Sequence, residues 1–137
     1  MDARQFRGEL EAIKSSADFG AASSSLVDRW SAAGVGLEAV VPILQFMESH
    51  PGIEYGKPGR LVHFVERFYG HGYEDLLVES VARHPTWITV WMLNRLINGT
   101  QDLAIRRRYV RMMMLAAANP QADQRTIEQA RHFLTRL

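Results

Sequence analysis

The chain has 137 residues, of which 47% are hydrophobic and 23% charged, with a net charge of +1 and no cysteine. This composition is ordinary for a globular protein and does not favour disorder, and the lack of cysteine excludes a disulfide framework and a thiolate metal site. The length fits one domain over residues 1–137. Residues 1–82 hold 7 Lys/Arg and 12 Asp/Glu, whereas residues 83–137 hold 9 Arg and 3 Asp/Glu. The N-terminal part, which we call the acidic front, is thus negatively charged and the C-terminal part is positively charged. This division indicates an electrostatically steered partner, or two halves that pack with complementary charge.

Targeting signals are not found in the sequence. The first ten residues, MDARQFRGEL, lack the apolar core of a signal peptide. No apolar run reaches the roughly 18 residues that cross a bilayer. Together with the lack of cysteine, these features predict a cytoplasmic protein that does not enter a membrane.

Apolar residues recur at helical spacing along the chain, and Gly, Pro and Asn turns separate the periodic segments. In chain order, the predicted helices cover residues 3–15, 22–33, 36–49, 60–70, 73–84, 85–99, 101–118 and 125–137. Pro42 falls inside the third segment, where it should kink the helix or start a second one. Nothing alternates with period two for long enough to indicate a strand.

About eight helices joined by short turns predict an all-α domain built of antiparallel pairs. Residues 60–70 would pair with 73–84, and residues 86–98 with 102–118, as in degenerate helical hairpins. Such hairpins stack into a HEAT-like α-solenoid, and an irregular helical bundle is the competing architecture.

The segment PTWITVWMLNRLING carries an aromatic and polar stripe on a mostly apolar helix. Trp87, Trp91, Asn94 and Asn98 are spaced at i, i+4, i+7 and i+11, and Arg95 borders them. These polar groups either lie buried against neighbouring helices or belong to a recognition surface, where Trp and Arg are enriched. We favour the buried interpretation, because so apolar a helix is usually covered on most sides.

Negative charge concentrates in two successive helices, at Glu66, Glu74, Asp75 and Glu79. Acidic residues in a first helical turn interact favourably with the helix dipole, which explains part of the cluster without a partner. The alternative is an acidic patch that docks onto a basic protein.

Two groups of residues suggest other functions for the chain, an enzyme and a nucleic-acid-binding protein. His63 and Glu66 form a His-x-x-Glu pair, which supplies half of a metal site or a general acid–base pair. No second pair, nucleophile motif or phosphate loop accompanies it, so we predict no catalytic, metal or cofactor site and expect Glu66 to pair with an arginine such as Arg95. The basic run RRRYVR, residues 106–111, lies in an amphipathic helix without a DNA-binding motif, and we expect a solvated or salt-bridged face.

The block from Gly59 to Asn98, with PGRLVHFVE, GYEDLLVESVARHPT and TVWMLNRLING, resembles small all-helical bacterial immunity proteins of polymorphic and contact-dependent toxin systems. The resemblance covers about a third of the chain. It implies a protein that binds the toxic domain of one cognate effector tightly and has no chemistry of its own.

The sequence therefore predicts a protein that works by binding another protein. The leading hypothesis is an immunity protein that occludes the active site of a toxin. Glu66, Glu74, Asp75 and Glu79 are the first choice for the contact. Trp87, Trp91, Asn94 and Arg95 are the second choice, or the support beneath it. A HEAT-like helical adaptor of another bacterial complex is the alternative.

Overall fold

The computed structural model describes residues 1–56 and 58–137, and all regular structure in these residues is helical. The prediction of an all-α protein is therefore confirmed. The described residues form eight α-helices of 7 to 15 residues: α1 (Ala3–Ile13), α2 (Phe19–Ala32), α3 (Val40–Ser49), α4 (Arg60–Glu66), α5 (Tyr73–Arg83), α6 (Trp87–Gly99), α7 (Leu103–Ala117) and α8 (Gln124–Leu134).

Aspartate caps begin four of these helices. The Asp102 carboxylate accepts hydrogen bonds from the backbone N–H groups at Ala104, 3.0 Å, and Ile105, 3.1 Å. Asp18 caps α2 by accepting from Ala21 N–H at 2.9 Å. A side-chain oxygen at this position satisfies an N–H group that the first helical turn leaves without a partner. This cap explains why α2 begins three residues before the predicted start at residue 22.

Pro42 has the effect that the sequence predicts. A short 3₁₀ helix, Leu37–Ala39, precedes α3, and Pro42 lies in the first turn of α3. A missing N–H group costs nothing in that turn, because the first N–H groups of a helix have no partner inside the helix. The predicted segment 36–49 is thus divided at its start.

Helix α4 is shorter than predicted, ending at Glu66 and not at residue 70. Backbone N–H groups of Phe68 and Tyr69 donate to the carbonyls of Val65 and Glu66, each at 3.1 Å. Bonds of this three-residue spacing tighten the chain into turns in place of further α-helix. The chain then turns at Gly70, where φ is +81°.

The chain divides into two compact units, Met1–Tyr73 and Glu74–Leu137. In the first, Trp30 is buried between Phe6 and Phe64, with ring centroids 5.2 and 5.9 Å away. Its indole N–H donates to the carboxylate of Glu9. The core of the first unit is thus centred on an aromatic cluster that joins α1, α2 and α4.

Polar contacts of one glutamate, Glu11, connect α1 to the end of α3 in the first unit. Glu11 lies 2.8 Å from the ammonium of Lys14 and 2.7 Å from Nε2 of His50. Hydrogen bonds from Lys14 and His50 lower the pKa of the Glu11 carboxyl. The carbonyl of His50 in turn accepts from the phenol of Tyr55 at 2.8 Å, and burial raises the pKa of that phenol.

In the second unit, α6, α7 and α8 each contact the other two. The predicted pairing of α6 with α7 is therefore confirmed, and α8 packs against both. The shared core is formed by buried side chains that include Ile88, Leu93, Met113 and Ala130. Since each unit has its own buried core, the single domain predicted for residues 1–137 stays a prediction.

Candidate protein-binding surfaces

The stripe on α6 begins deep in the second unit. Thr86 caps the helix, and its hydroxyl accepts from Thr89 N–H at 3.3 Å while the Thr89 hydroxyl accepts from Thr86 N–H at 3.1 Å. Both threonines are fully buried. A reciprocal cap satisfies N–H groups that are otherwise costly to bury, so α6 is able to start inside the core.

Trp87, the first residue of α6, is 0% exposed. Helix α8 covers it: the guanidinium of Arg125 lies 3.9 Å from the centre of the indole ring, and Gln129 Nε2 donates to the Trp87 carbonyl at 2.8 Å. A side chain enclosed in this way packs the core and does not contact a partner. Of the two roles predicted for Trp87, the structure is consistent with the support beneath a surface.

The other end of the stripe is open to solvent. Trp91 and Asn94 are half-buried, and Arg95 is exposed with its guanidinium 5.1 Å from the Trp91 ring centre. The expectation that Arg95 lies in the core is therefore wrong. Its long side chain lies along the indole and keeps the charged head in water. Trp91, Asn94 and Arg95 form an accessible patch on the second unit.

Three of the predicted acidic residues lie on α5. Glu74 and Asp75 occupy the first turn, and Glu79 is exposed one turn further on. The Asp75 side chain is 70% exposed and accepts a hydrogen bond at 3.0 Å from Nη1 of Arg108 on α7. The acidic start of α5 is thus an accessible surface beside α7, with one of its carboxylates in an exposed ion pair.

A groove of mixed polar and apolar lining lies between the last part of α5, the last part of α7 and the turn that follows α7. It has a volume of about 490 Å³, and its lining includes Val81 and Arg83 from α5 and Met112 and Leu115 from α7. Leu115 is 58% exposed. The ion pair joins the start of α5 to Arg108, and residues near the end of α5 line the groove together with Met112 and Leu115, which come later on α7. The acidic start of α5 and the groove thus both lie between α5 and α7, and we call this region the seam.

Glu66, the fourth predicted acidic residue, lies in the first unit as the last residue of α4. Its carboxylate is 3.8 Å from Nδ1 of His63, and the His63 side chain is 59% exposed. That separation is too long for a hydrogen bond. Within residues 1–56 and 58–137, no group of three or more His, Asp or Glu is placed to hold a metal ion. The expected pairing of Glu66 with Arg95 stays a prediction.

The side chains of the basic run on α7 differ in how deeply they are buried. Arg108 is in the ion pair with Asp75, as predicted for a salt-bridged face, and Tyr109 is buried and is not available for stacking on a base. Met113 is the core member of the methionine triplet, and Met114 is exposed.

Sequence reasoning missed a second apolar surface on α7. Leu103, Val110 and Met114 line a groove together with three arginines of the same helix. The helical spacing i, i+7 and i+11 was visible in the sequence, but so was the helical spacing of the residues that are buried, Tyr109, Met113 and Ala116. Periodicity alone does not indicate which of two stripes a neighbouring helix covers.

Comparison of the chain with protein-family models, with curated proteins and with solved structures gives no match. Among the described helices, none combines the length and the apolar character that crossing a bilayer requires. The class that the fold defines is an all-helical protein with accessible charged and apolar surfaces on its second unit.

Proposed function

We propose that this chain is an immunity protein, which binds the toxic domain of one cognate bacterial effector and blocks its active site. The observation that carries the proposal is the seam between α5 and α7, where the carboxylates at the start of α5 and a groove with exposed apolar side chains such as Leu115 lie on the same two helices. Apolar area with charged groups at its edge is the composition of protein interfaces. The resemblance of residues 59–98 to immunity proteins covers α5, which supplies those carboxylates.

The seam suits a partner whose active site is basic, as the site of a nuclease is. Glu74, Asp75 and Glu79 would attract such a partner and orient it on approach. The ion pair between Asp75 and Arg108 is exposed, so its exchange for a cation of the partner costs little. The groove around Leu115 would then bury apolar area. Trp91, Asn94 and Arg95 are the second candidate contact.

The first test identifies the partner. The tagged chain is used as bait in its native host, and co-purifying proteins are identified by mass spectrometry. Capture of one large secreted or surface protein through its C-terminal domain supports the proposal. If only housekeeping proteins co-purify, or none, the immunity proposal fails.

The second test concerns the seam. The double variant Glu74→Lys/Asp75→Lys should slow association with the captured toxin domain by about tenfold or more, because steering by opposite charge is lost. Arg108→Gln is the matched control, since it removes the ion pair and keeps all the carboxylates. Stopped-flow mixing at low and high salt measures the rates. An unchanged association rate in the double variant would show that the acidic surface is only a solvated face.

A helical adaptor in another bacterial complex is the second candidate function. It is favoured by one observation, the additional groove on α7, whose lining shares no residue with the groove of the seam. An inhibitor of one toxin needs one surface, whereas an adaptor needs two. Recovery of two different proteins that bind the chain at once, neither of them toxic, would support the adaptor.

A further inference from the structure

The outward face of α7 is an exposed apolar stripe. Leu103 is 68% exposed and Met114 is 56% exposed, and Val110 lies between them. Leu137, which follows α8 and is 47% exposed, lines the same groove of about 460 Å³. Apolar side chains that are contiguous and open to water mark an interaction surface in a soluble protein.

Three arginines border this stripe, Arg106, Arg107 and Arg111. Their guanidinium groups make no ion pair or hydrogen bond with any described residue. The neighbouring Arg108, 100° around the helix from Arg107, does have a carboxylate partner in Asp75. The stripe is thus positively charged at its edges, and no Asp or Glu side chain within the described chain is in an ion pair with these three arginines.

We infer that this face of α7, the arginine stripe, binds an acidic amphipathic helix of a partner protein. Its members are Leu103, Arg106, Arg107, Val110, Arg111 and Met114. From Leu103 to Met114 the stripe extends about 16 Å, which matches about three turns of a second helix. Leucine-like side chains of that helix cover the apolar centre, and its Glu and Asp residues pair with the arginines.

The apolar centre distinguishes this partner from a nucleic acid. A phosphate backbone would contact the arginines but would leave Leu103 and Met114 against a polar, hydrated surface. A helix with both leucines and carboxylates would cover the apolar centre of the stripe and pair with the arginines at its edges.

The charge also distinguishes this partner from a second copy bound through the same face. A symmetric pair would place Arg107 and Arg111 against their own equivalents, because a two-fold interface joins identical patches. Like charges at such close range are unfavourable. The inference stands independently of the immunity proposal, since the seam between α5 and α7 uses other residues.

The test uses the full chain and a synthetic probe. The probe is a fluorescein-labelled helical peptide of five turns with leucine along one face and glutamate on both flanks. A second peptide has lysine in place of every glutamate. Fluorescence anisotropy measures binding at low salt, and circular dichroism confirms that each variant of the chain is folded.

The glutamate peptide is expected to bind and the lysine peptide is not. Arg107→Glu/Arg111→Glu should weaken binding by about tenfold or more, and so should Leu103→Ala/Met114→Ala. Arg4→Glu/Arg7→Glu is the matched control, because it makes the same change in net charge on exposed arginines of α1. That control should bind as the unmodified chain does.

Several results would overturn the inference. One is failure of the glutamate peptide to bind, and another is equal weakening by the α1 control. Binding of phosphatidylglycerol vesicles or of duplex DNA that is stronger than peptide binding, and lost in Arg107→Glu/Arg111→Glu, would assign the stripe to a membrane or a nucleic acid. Dimers in sedimentation that the same variant abolishes would assign it to a second copy.

Discussion

The two tryptophans of α6 differ in depth although they share one stripe. Trp87 is enclosed by Arg125 and Gln129 of α8, whereas Trp91 is half-buried beneath Arg95. The helical wheel places both tryptophans on one side of α6. It did not predict the depth, because the position of α8 over the first turn of α6 is a tertiary contact that the sequence of α6 does not contain.

This difference in depth predicts unequal effects on stability. Trp87→Ala should lower the free energy of unfolding by about 3–5 kcal/mol, because it leaves a cavity where the indole was enclosed. Trp91→Ala should lower it by only about 1 kcal/mol, the loss of a half-buried ring and of the contact with Arg95. Urea unfolding followed by far-ultraviolet circular dichroism measures both. Equal losses would mean that Trp91 is as deeply packed as Trp87.

At the scale of elements, breaks in the sequence predicted where helices start and where they stop about equally well. Pro42 and the Gly, Pro and Asn turns placed the boundaries of most helices within a few residues. Helix α2 started early because the apolar pattern gave no weight to the cap at Asp18. Helix α4 stopped early although its pattern continued, because three-residue hydrogen bonds replaced the α-helical ones after Glu66.

Replacing glycine by alanine should change the free energy of unfolding in opposite directions at two positions, Gly59 and Gly8. A Cβ atom at Gly59, which caps α4, would lie 1.6 Å from the carbonyl oxygen of Tyr55, so the backbone must shift. A Cβ atom at Gly8 within α1 would meet nothing within 4 Å. We therefore expect Gly59→Ala to lower the free energy of unfolding by about 1–3 kcal/mol. Gly8→Ala should raise it by about 0.5–1 kcal/mol.

Both glycine variants are compared with the unmodified chain by urea unfolding. Gly8→Ala is the control for any general effect of adding a methyl group. If Gly59→Ala proves as stable as Gly8→Ala, the close approach of Tyr55 to Gly59 does not constrain the connection before α4.

At the scale of the molecule, the division of charge along the sequence differs from its division in the structure. The acidic front extends to residue 82, but the first compact unit ends at Tyr73. The first unit therefore has a net charge of −2, from 7 Lys/Arg and 9 Asp/Glu, and the second has +3, from 9 Arg and 6 Asp/Glu. Helix α5 brings its carboxylates into the arginine-rich unit, so that one unit presents surfaces of both signs.

Two surfaces of opposite sign on one unit are able to bind two partners at once. Arg108 in the seam and Arg107 in the arginine stripe lie 100° apart around α7, and the stripe is centred still further from the seam. Saturating the chain with the glutamate peptide should therefore change the affinity for a partner of the seam by less than about threefold, since no shared side chain is displaced. Isothermal titration of that partner, with and without the peptide, measures the coupling. Full competition would mean that one partner covers α7 from Arg108 to Met114, and that the seam and the stripe are parts of a single, larger interface.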